Sequence, residues 1–113
     1  MLVVDDHASF RAAATALLES EGFTVVGGAG DGDEALAQVG ALRPDVVLLD
    51  VQLPGIDGFE VARRLATLAA PPAVLLISSR VAAEYGDQVA SAPVRGFLDK
   101  QELSGPALTR LLR

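Results

Sequence analysis

The sequence predicts an α/β fold of five strand–helix units, and three observations carry that expectation. Three short runs, Leu2-Val3-Val4, Val46-Val47-Leu48-Leu49 and Val74-Leu75-Leu76-Ile77, are apolar without alternation. Strands buried on both faces of a parallel sheet read this way. Between them, apolar residues recur every three or four positions, the spacing of amphipathic helices. Glycines and prolines fall mostly at the joints. Five such units in 113 residues make one domain, with right-handed crossovers and helices covering both faces of the sheet.

The elements follow in order. The first strand is Leu2–Val4. Phe10, Ala14, Leu17 and Leu18 mark the first helix, which Gly22 stops. Thr24–Val26 reads as the second strand, and Gly27-Gly28-Ala29-Gly30 as the turn that ends it. That glycine run lacks the Lys-Ser/Thr of a nucleotide phosphate loop. Ala35, Leu36, Val39 and Leu42 define a helix from Asp33 to Leu42, ended by Pro44. Asp45–Leu49 is the third strand. Phe59, Ala62, Leu65 and Leu68 or Ala69 form the third helical stripe, between Gly58 and Pro71-Pro72. Ala73–Ser78 is the fourth strand. Ala82 to Ser91 is a weak helix, because Tyr85-Gly86-Asp87 is poor helix sequence and Pro93 cuts it short. Val94–Leu98 is the fifth strand. Ser104 caps the tail helix, Pro106 sits in its first turn, and Leu108, Leu111 and Leu112 share one face. That face reads first as core packing, with a phosphorylation-dependent homodimer as the alternative.

Composition removes several function classes. There is no cysteine, so disulfides, thiol nucleophiles and thiolate metal sites are excluded, and a single histidine excludes a His-rich zinc site. Nine basic against fifteen acidic residues leave a net charge of −6. A domain this acidic offers no basic face to nucleic acid. No run is long and apolar enough to span a membrane, and the first residues lack a signal peptide's pattern. The expected location is the cytoplasm.

In open α/β sheets, ligands bind beyond the carboxyl ends of the strands. Here strand 1 runs into Asp5-Asp6, strand 3 into Asp50, strand 4 into Ser78-Ser79 and strand 5 into Asp99-Lys100. Any one of these is an ordinary turn or cap residue, and Asp6 could partly cap helix 1. Their convergence is harder to dismiss. Two carboxylates ~5 Å apart repel by ~3 kcal/mol at an effective dielectric of ~20. Three such pairs approach the ~5–15 kcal/mol that holds a domain together. The cluster therefore calls for protons or a cation, and oxygen donors alone suit Mg²⁺. Carboxylates around Mg²⁺, with an ammonium and a hydroxyl nearby, make a phosphoryl site. Asp50 is the candidate nucleophile, Asp5 and Asp6 the metal holders, and Lys100 the neutraliser of charge on the transferring oxygens.

These residues resemble the receiver domain of two-component response regulators. The likeness lies in Asp5-Asp6 after a short strand, Pro44-Asp45-Val46-Val47-Leu48-Leu49-Asp50 with Leu53-Pro54-Gly55-Ile56-Asp57-Gly58, Ser78, and Gly96-Phe97-Leu98-Asp99-Lys100. It covers residues 1–113. The resemblance implies a CheY-like, flavodoxin-like three-layer sandwich with strand order 2-1-3-4-5. It implies that Asp50 takes a phosphoryl group from a sensor histidine kinase. Asp6 would bind Mg²⁺ directly, Asp5 mostly through water, and Asp50 and the Gln52 main-chain carbonyl would complete the protein ligands. Lys100 would pair with Asp50 and then with the phosphoryl oxygens. Ser78 would swing to the phosphoryl group and Phe97 turn inward behind it, changing a partner surface made by helix 4, strand 5 and helix 5. Asp5-Asp6-His7 resembles receivers that carry a helix-turn-helix output domain. No output domain follows in these residues, and the expectation is a stand-alone signalling receiver rather than an enzyme.

Competing readings are a small Mg²⁺-dependent aspartyl phosphatase and a pseudo-receiver that binds partners without phosphorylation. Gln52, where such a phosphatase needs a second acid, counts against the first. The intact acidic set counts against the second. A flavin carrier shares the fold class but would want more aromatics. Among the remaining residues, His7 is expected to be a partly exposed loop residue, and Asp31 and Asp57 turn or cap residues. Phe10 and Phe59 read as core or partner-surface residues. Arg80 and Gln52 stand at positions that tune phosphoryl lifetime in the resembling family.

Overall fold

The computed structural model describes residues 1–113. Five strands form one parallel sheet: β1 (Leu2–Val4), β2 (Gly27–Ala29), β3 (Val46–Asp50), β4 (Ala73–Ser78) and β5 (Gly96–Asp99), in the order β2-β1-β3-β4-β5. The helices are α1 (Ala8–Ser20), α2 (Gly32–Leu42), α3 (Gly58–Ala66), α4 (Asp87–Ser91) and α5 (Gly105–Leu112). Short 3₁₀ turns occupy Ala82–Tyr85 and Lys100–Glu102. The radius of gyration is 12.6 Å, close to the ~13 Å expected for a chain of this length.

The continuous apolar runs are the central strands, and alternate residues of each serve opposite layers. Leu2, Val4, Val47, Leu49, Val74 and Leu76 face α2 and α3, packing with Ala35, Val39, Phe59, Val61, Ala62 and Leu65. Val3, Leu48, Leu75, Ile77 and Leu98 face α1 and α5, packing with Ala14, Leu18, Ala107 and Leu108. This is the three-layer sandwich the patterning predicts. Leu108 is fully buried and Leu111 and Leu112 pack on the same cluster, so the tail helix completes the core.

Three helices begin as their sequence dictates. Asp31 Oδ1 accepts the Glu34 amide at 2.7 Å, Asp57 Oδ1 the Glu60 amide at 2.9 Å and Ser104 Oγ the Ala107 amide at 3.1 Å. Helix α1 is different: His7, not Asp6, holds its N-cap position, with no side-chain cap. Asp6 is thus left available at the sheet edge.

The second strand differs from expectation. Thr24–Val26 lies outside the sheet, and Gly27–Ala29 pairs with β1 in the register Leu2↔Gly27, Val3↔Gly28 and Val4↔Ala29. The glycines are strand rather than turn because helices crowd this edge. A Cβ on Gly27 would stand 2.9 Å from Leu42 Cδ1, and Arg11 lies along Gly28. Close approach of neighbouring side chains, not β-propensity, selects the pairing residues. Strand β5 also starts later than expected, at Gly96, where a Cβ would meet Leu111 at 2.9 Å.

The weak fourth helix breaks where Tyr85-Gly86-Asp87 suggests. Gly86 at φ 58° separates the 3₁₀ turn from α4, which ends at Ser91 two residues before Pro93.

Candidate functional site

The parallel sheet carries the expected groups to one edge. Asp5 follows β1, Asp50 ends β3, Ser78 ends β4 and Lys100 follows β5. Asp5, Asp50 and Ser78 are the buried polar residues of the protein. The β3–α3 loop folds back over Asp50, with the Gly58 amide donating to the Val51 carbonyl at 2.8 Å. A Cβ on Gly58 would be driven into the Asp50 carbonyl and against Val51 Cα. Gly58 is therefore required by closeness, and it is the first residue of α3.

One ammonium serves two carboxylates. Lys100 Nζ lies 2.6 Å from Asp5 Oδ2 and 3.2 Å from Asp50 Oδ2, donating a hydrogen bond to the latter. Asp99 holds the turn that delivers it, its Oδ1 accepting the Gln101 amide at 2.8 Å. The Lys100 ammonium also stands 4.6 Å from the centroid of the Phe10 ring, a cation–π contact. Asp50 Oδ1 accepts the Gln52 amide at 3.3 Å.

Burial dominates the electrostatics. Desolvation pushes the Asp50 carboxyl up to about 6; Lys100 opposes this and the charge of Asp5 adds to it. At Asp5, burial acts in the same direction, but the Lys100 ammonium and the His7 amide outweigh it and hold the carboxyl below its ordinary value. Burial works against the Lys100 ammonium too, yet the two carboxylates keep its pKa raised.

Asp6 and His7 stand at the rim. The Asp6 side chain is 37% exposed and that of His7 70%. His7 Nδ1 lies 3.0 Å from Asp6 Oδ1 and 3.3 Å from Asp5 Oδ1. Ligand atoms of Asp5, Asp6 and His7 fall within 4.8 Å of one another. Asp50 does not join that set; its Oδ2 faces Lys100 instead. The three carboxylates thus form two overlapping pairs around Asp5 rather than one triangle.

A hard cation fits these donors. Of Asp5, Asp6 and His7, two are carboxylates, and the buried Asp5 Oδ2 has the Lys100 ammonium, 2.6 Å away, as its polar neighbour. One ammonium for the buried carboxylates Asp5 and Asp50, with Asp6 beside them, leaves excess negative charge that a hard cation such as Mg²⁺ would offset.

Two contributors escape the sequence. Arg11 Nη1 donates to the Asp5 carbonyl at 2.6 Å, pinning the turn that presents the acidic pair. Its signal is its place on the first turn of α1, one helical turn after His7. The Tyr85 hydroxyl lies 2.6 Å from Ser78 Oγ, which also accepts the Arg80 amide at 3.0 Å. Nothing in a weak helical segment points to it. Phe97 is half-buried and packs edge-on to Tyr85 at 6.0 Å. Phe59 is core, as expected.

The family model for the response regulator receiver domain matches residues 1–112. The chain belongs to this family. Among relatives, the response regulator GacA of Pseudomonas viridiflava is 38% identical, over 88% of this chain and 47% of its own length. The protein-glutamate methylesterase/protein-glutamine glutaminase 5 of Myxococcus xanthus is 50% identical, over 70% of this chain and 23% of its own. The receiver thus spans about half or less of the curated relatives it matches. The signal receiver domain of the response regulator NarL from Mycobacterium tuberculosis superposes with a TM-score of 0.83 at 37% identity, covering 98% of this chain and 90% of that one. A CheX–CheY–BeF₃–Mg²⁺ complex from Borrelia burgdorferi gives 0.83 at 25% identity, covering 98% and 84%. The fold is CheY-like, and the function of the domain is that of a phosphoryl-accepting receiver. No helix is long and apolar enough to cross a membrane.

Proposed function

We propose that Asp50 accepts the phosphoryl group, in a reaction that requires Mg²⁺ and draws on a histidine kinase. The carrying observation is the Lys100 ammonium shared between Asp5 and Asp50 at the carboxyl edge of the sheet. It keeps a second carboxylate and a cation beside the nucleophile before any phosphoryl group arrives.

An Asp50 carboxylate oxygen attacks phosphorus, and the bond to the donor imidazole nitrogen breaks with its electron pair leaving on that ring. Asp5, Asp6, Asp50 and the Gln52 carbonyl would hold Mg²⁺, which would supply positive charge for the phosphoryl oxygens. Lys100 shifts from the Asp50 carboxylate to a phosphoryl oxygen. Ser78 donates to another. Gly58, without a Cβ, lets the β3–α3 loop pack against the Asp50 main chain. Phosphorylation adds about −1.5 to −2 charges, and the segment from Ser78 through α4 and β5 to α5 rearranges to present the response surface.

The reading makes the domain a cytoplasmic signalling module that turns over its own phosphoryl group and no separate substrate. Its downstream partner is a protein surface or an output domain docked on the α4–β5–α5 face, and the receiver itself contacts no nucleic acid.

Incubation with a small-molecule phosphodonor and Mg²⁺, followed by intact-mass measurement, tests this. One phosphoryl group is expected on the wild type and none on Asp50→Asn. A wild type that gains no mass with Mg²⁺ present overturns the assignment.

A further inference from the structure

The partners of the Ser78 hydroxyl both lie outside the acidic cluster. Ser78 Oγ accepts the Arg80 amide at 3.0 Å and meets the Tyr85 hydroxyl at 2.6 Å. A serine hydroxyl carries one proton and two lone pairs. In a fully buried position, these two contacts fix where the hydroxyl points.

Tyr85 is held by more than this bond. Its ring packs edge-on against Phe59, with centroids 5.5 Å apart, and against Phe97 at 6.0 Å. It is the last residue of the 3₁₀ turn Ala82–Tyr85, and Gly86 after it breaks the chain before α4. One phenol therefore ties Ser78 to the β5 aromatic and to the joint of the 82–91 segment.

We propose that Tyr85 is a positioning residue that holds Ser78 off the phosphoryl site in the unphosphorylated receiver. It lets go when Ser78 turns to a phosphoryl oxygen. The proposal rests on the roles given above to Asp50 and Ser78. Its physical basis is a competition for one short side chain. A turn of Oγ toward Asp50 would be a step between staggered rotamers that leaves the phenol. The freed Tyr85 ring then shifts against Phe97 and Phe59, moving the joint at Gly86. The state of the acceptor thus reaches the α4–β5 face through an aromatic on the β4–α4 segment as well as through Phe97.

Tyr85 is the single tyrosine of a chain without tryptophan, so tyrosine emission reports on it alone. The full chain is titrated with beryllium trifluoride in saturating Mg²⁺ as the phosphoryl probe. Emission follows wild type and Ser78→Ala; calorimetry follows wild type, Tyr85→Phe, Ser78→Ala and the double variant. Wild-type emission is expected to change with probe occupancy. Tyr85→Phe keeps the ring and removes the competing hydroxyl, so it should bind the probe about 2- to 10-fold tighter, the factor for one net hydrogen bond. In the Ser78→Ala background, the same change should leave affinity where Ser78→Ala puts it. Unchanged or weaker binding by Tyr85→Phe, an equal gain without Ser78, or a silent emission each overturn the proposal. A wild type that takes up no probe overturns the Asp50 assignment together with it. Normal uptake with an inert Tyr85 overturns this proposal alone.

Discussion

Lys100 stands closer to Asp5 than to Asp50: its ammonium is 2.6 Å from Asp5 Oδ2 and 3.2 Å from Asp50 Oδ2. Asp50 is the less well compensated of the two. Its carboxyl is accordingly the one raised, and that of Asp5 the one lowered.

The first consequence is a pH-dependent cost at Asp50. Its carboxyl moves from 3.8 to about 6 on folding. Between those values the folded chain keeps a proton that the unfolded chain has released, so stability falls as pH rises through this window. Asp50→Asn should therefore be more stable than wild type above pH ~7 without metal, by about 1–3 kcal/mol, with the difference fading below pH ~4. Urea unfolding in chelator across this range checks it. A wild type more stable than the variant at pH 7 would count against the raised carboxyl.

Magnesium should narrow that gap. A cation at Asp5 and Asp6 would offset the repulsion between these carboxylates and Asp50. Wild type should gain about 2.7 kcal/mol at a Mg²⁺ concentration of 100 times its Kd. Asp5→Asn and Asp6→Asn should lose most of that gain. Thermal melts against Mg²⁺, with Ca²⁺ for comparison, provide the measurement.

Removing Lys100 leaves two buried carboxylates facing each other. Lys100→Met should cost about 3 kcal/mol in chelator, near the low end for breaking a buried pair, because Asp50 can take up a proton. The loss should shrink at pH ~5 and on adding Mg²⁺. Denaturant unfolding at two pH values, with and without Mg²⁺, separates this from a simple packing defect, which neither condition would repair.

Gly58→Ala places a methyl group against the Asp50 carbonyl and Val51 Cα. The expected cost is about 1–3 kcal/mol, the range for overpacking. Phosphorylation should slow as well, because the displaced backbone carries Asp50, the proposed acceptor. Labelling rates with a small phosphodonor, beside an unfolding curve, would expose a variant that is destabilised yet labels normally.

The legible parts of this protein were those in which one residue type has one use. Unbroken apolar runs can be satisfied only between two helical layers, so β1, β3 and β4 were plain in the sequence. Asp31, Asp57 and Ser104 cap helices by local chemistry that needs no distant partner. The acidic cluster was legible because parallel strands all end at one edge. The second strand was not. Thr24–Val26 has the composition of a strand, but the register with β1 and the bulk of Leu42 and Arg11 put glycines in its place.

The sequence by itself determined the layers, the direction of the sheet and the arrival of Asp5, Asp6, Asp50, Ser78 and Lys100 at one sheet edge. Those follow from periodicity and from charge that has to be neutralised. Tertiary structure alone decided which of these touch. It placed Lys100 nearer to Asp5 than to Asp50, left Asp6 at the rim with His7, and gave the Ser78 hydroxyl to Tyr85. A hydrogen bond depends on a few tenths of an ångström between strands far apart in the chain. Only packing of the whole sheet and its helices sets such distances.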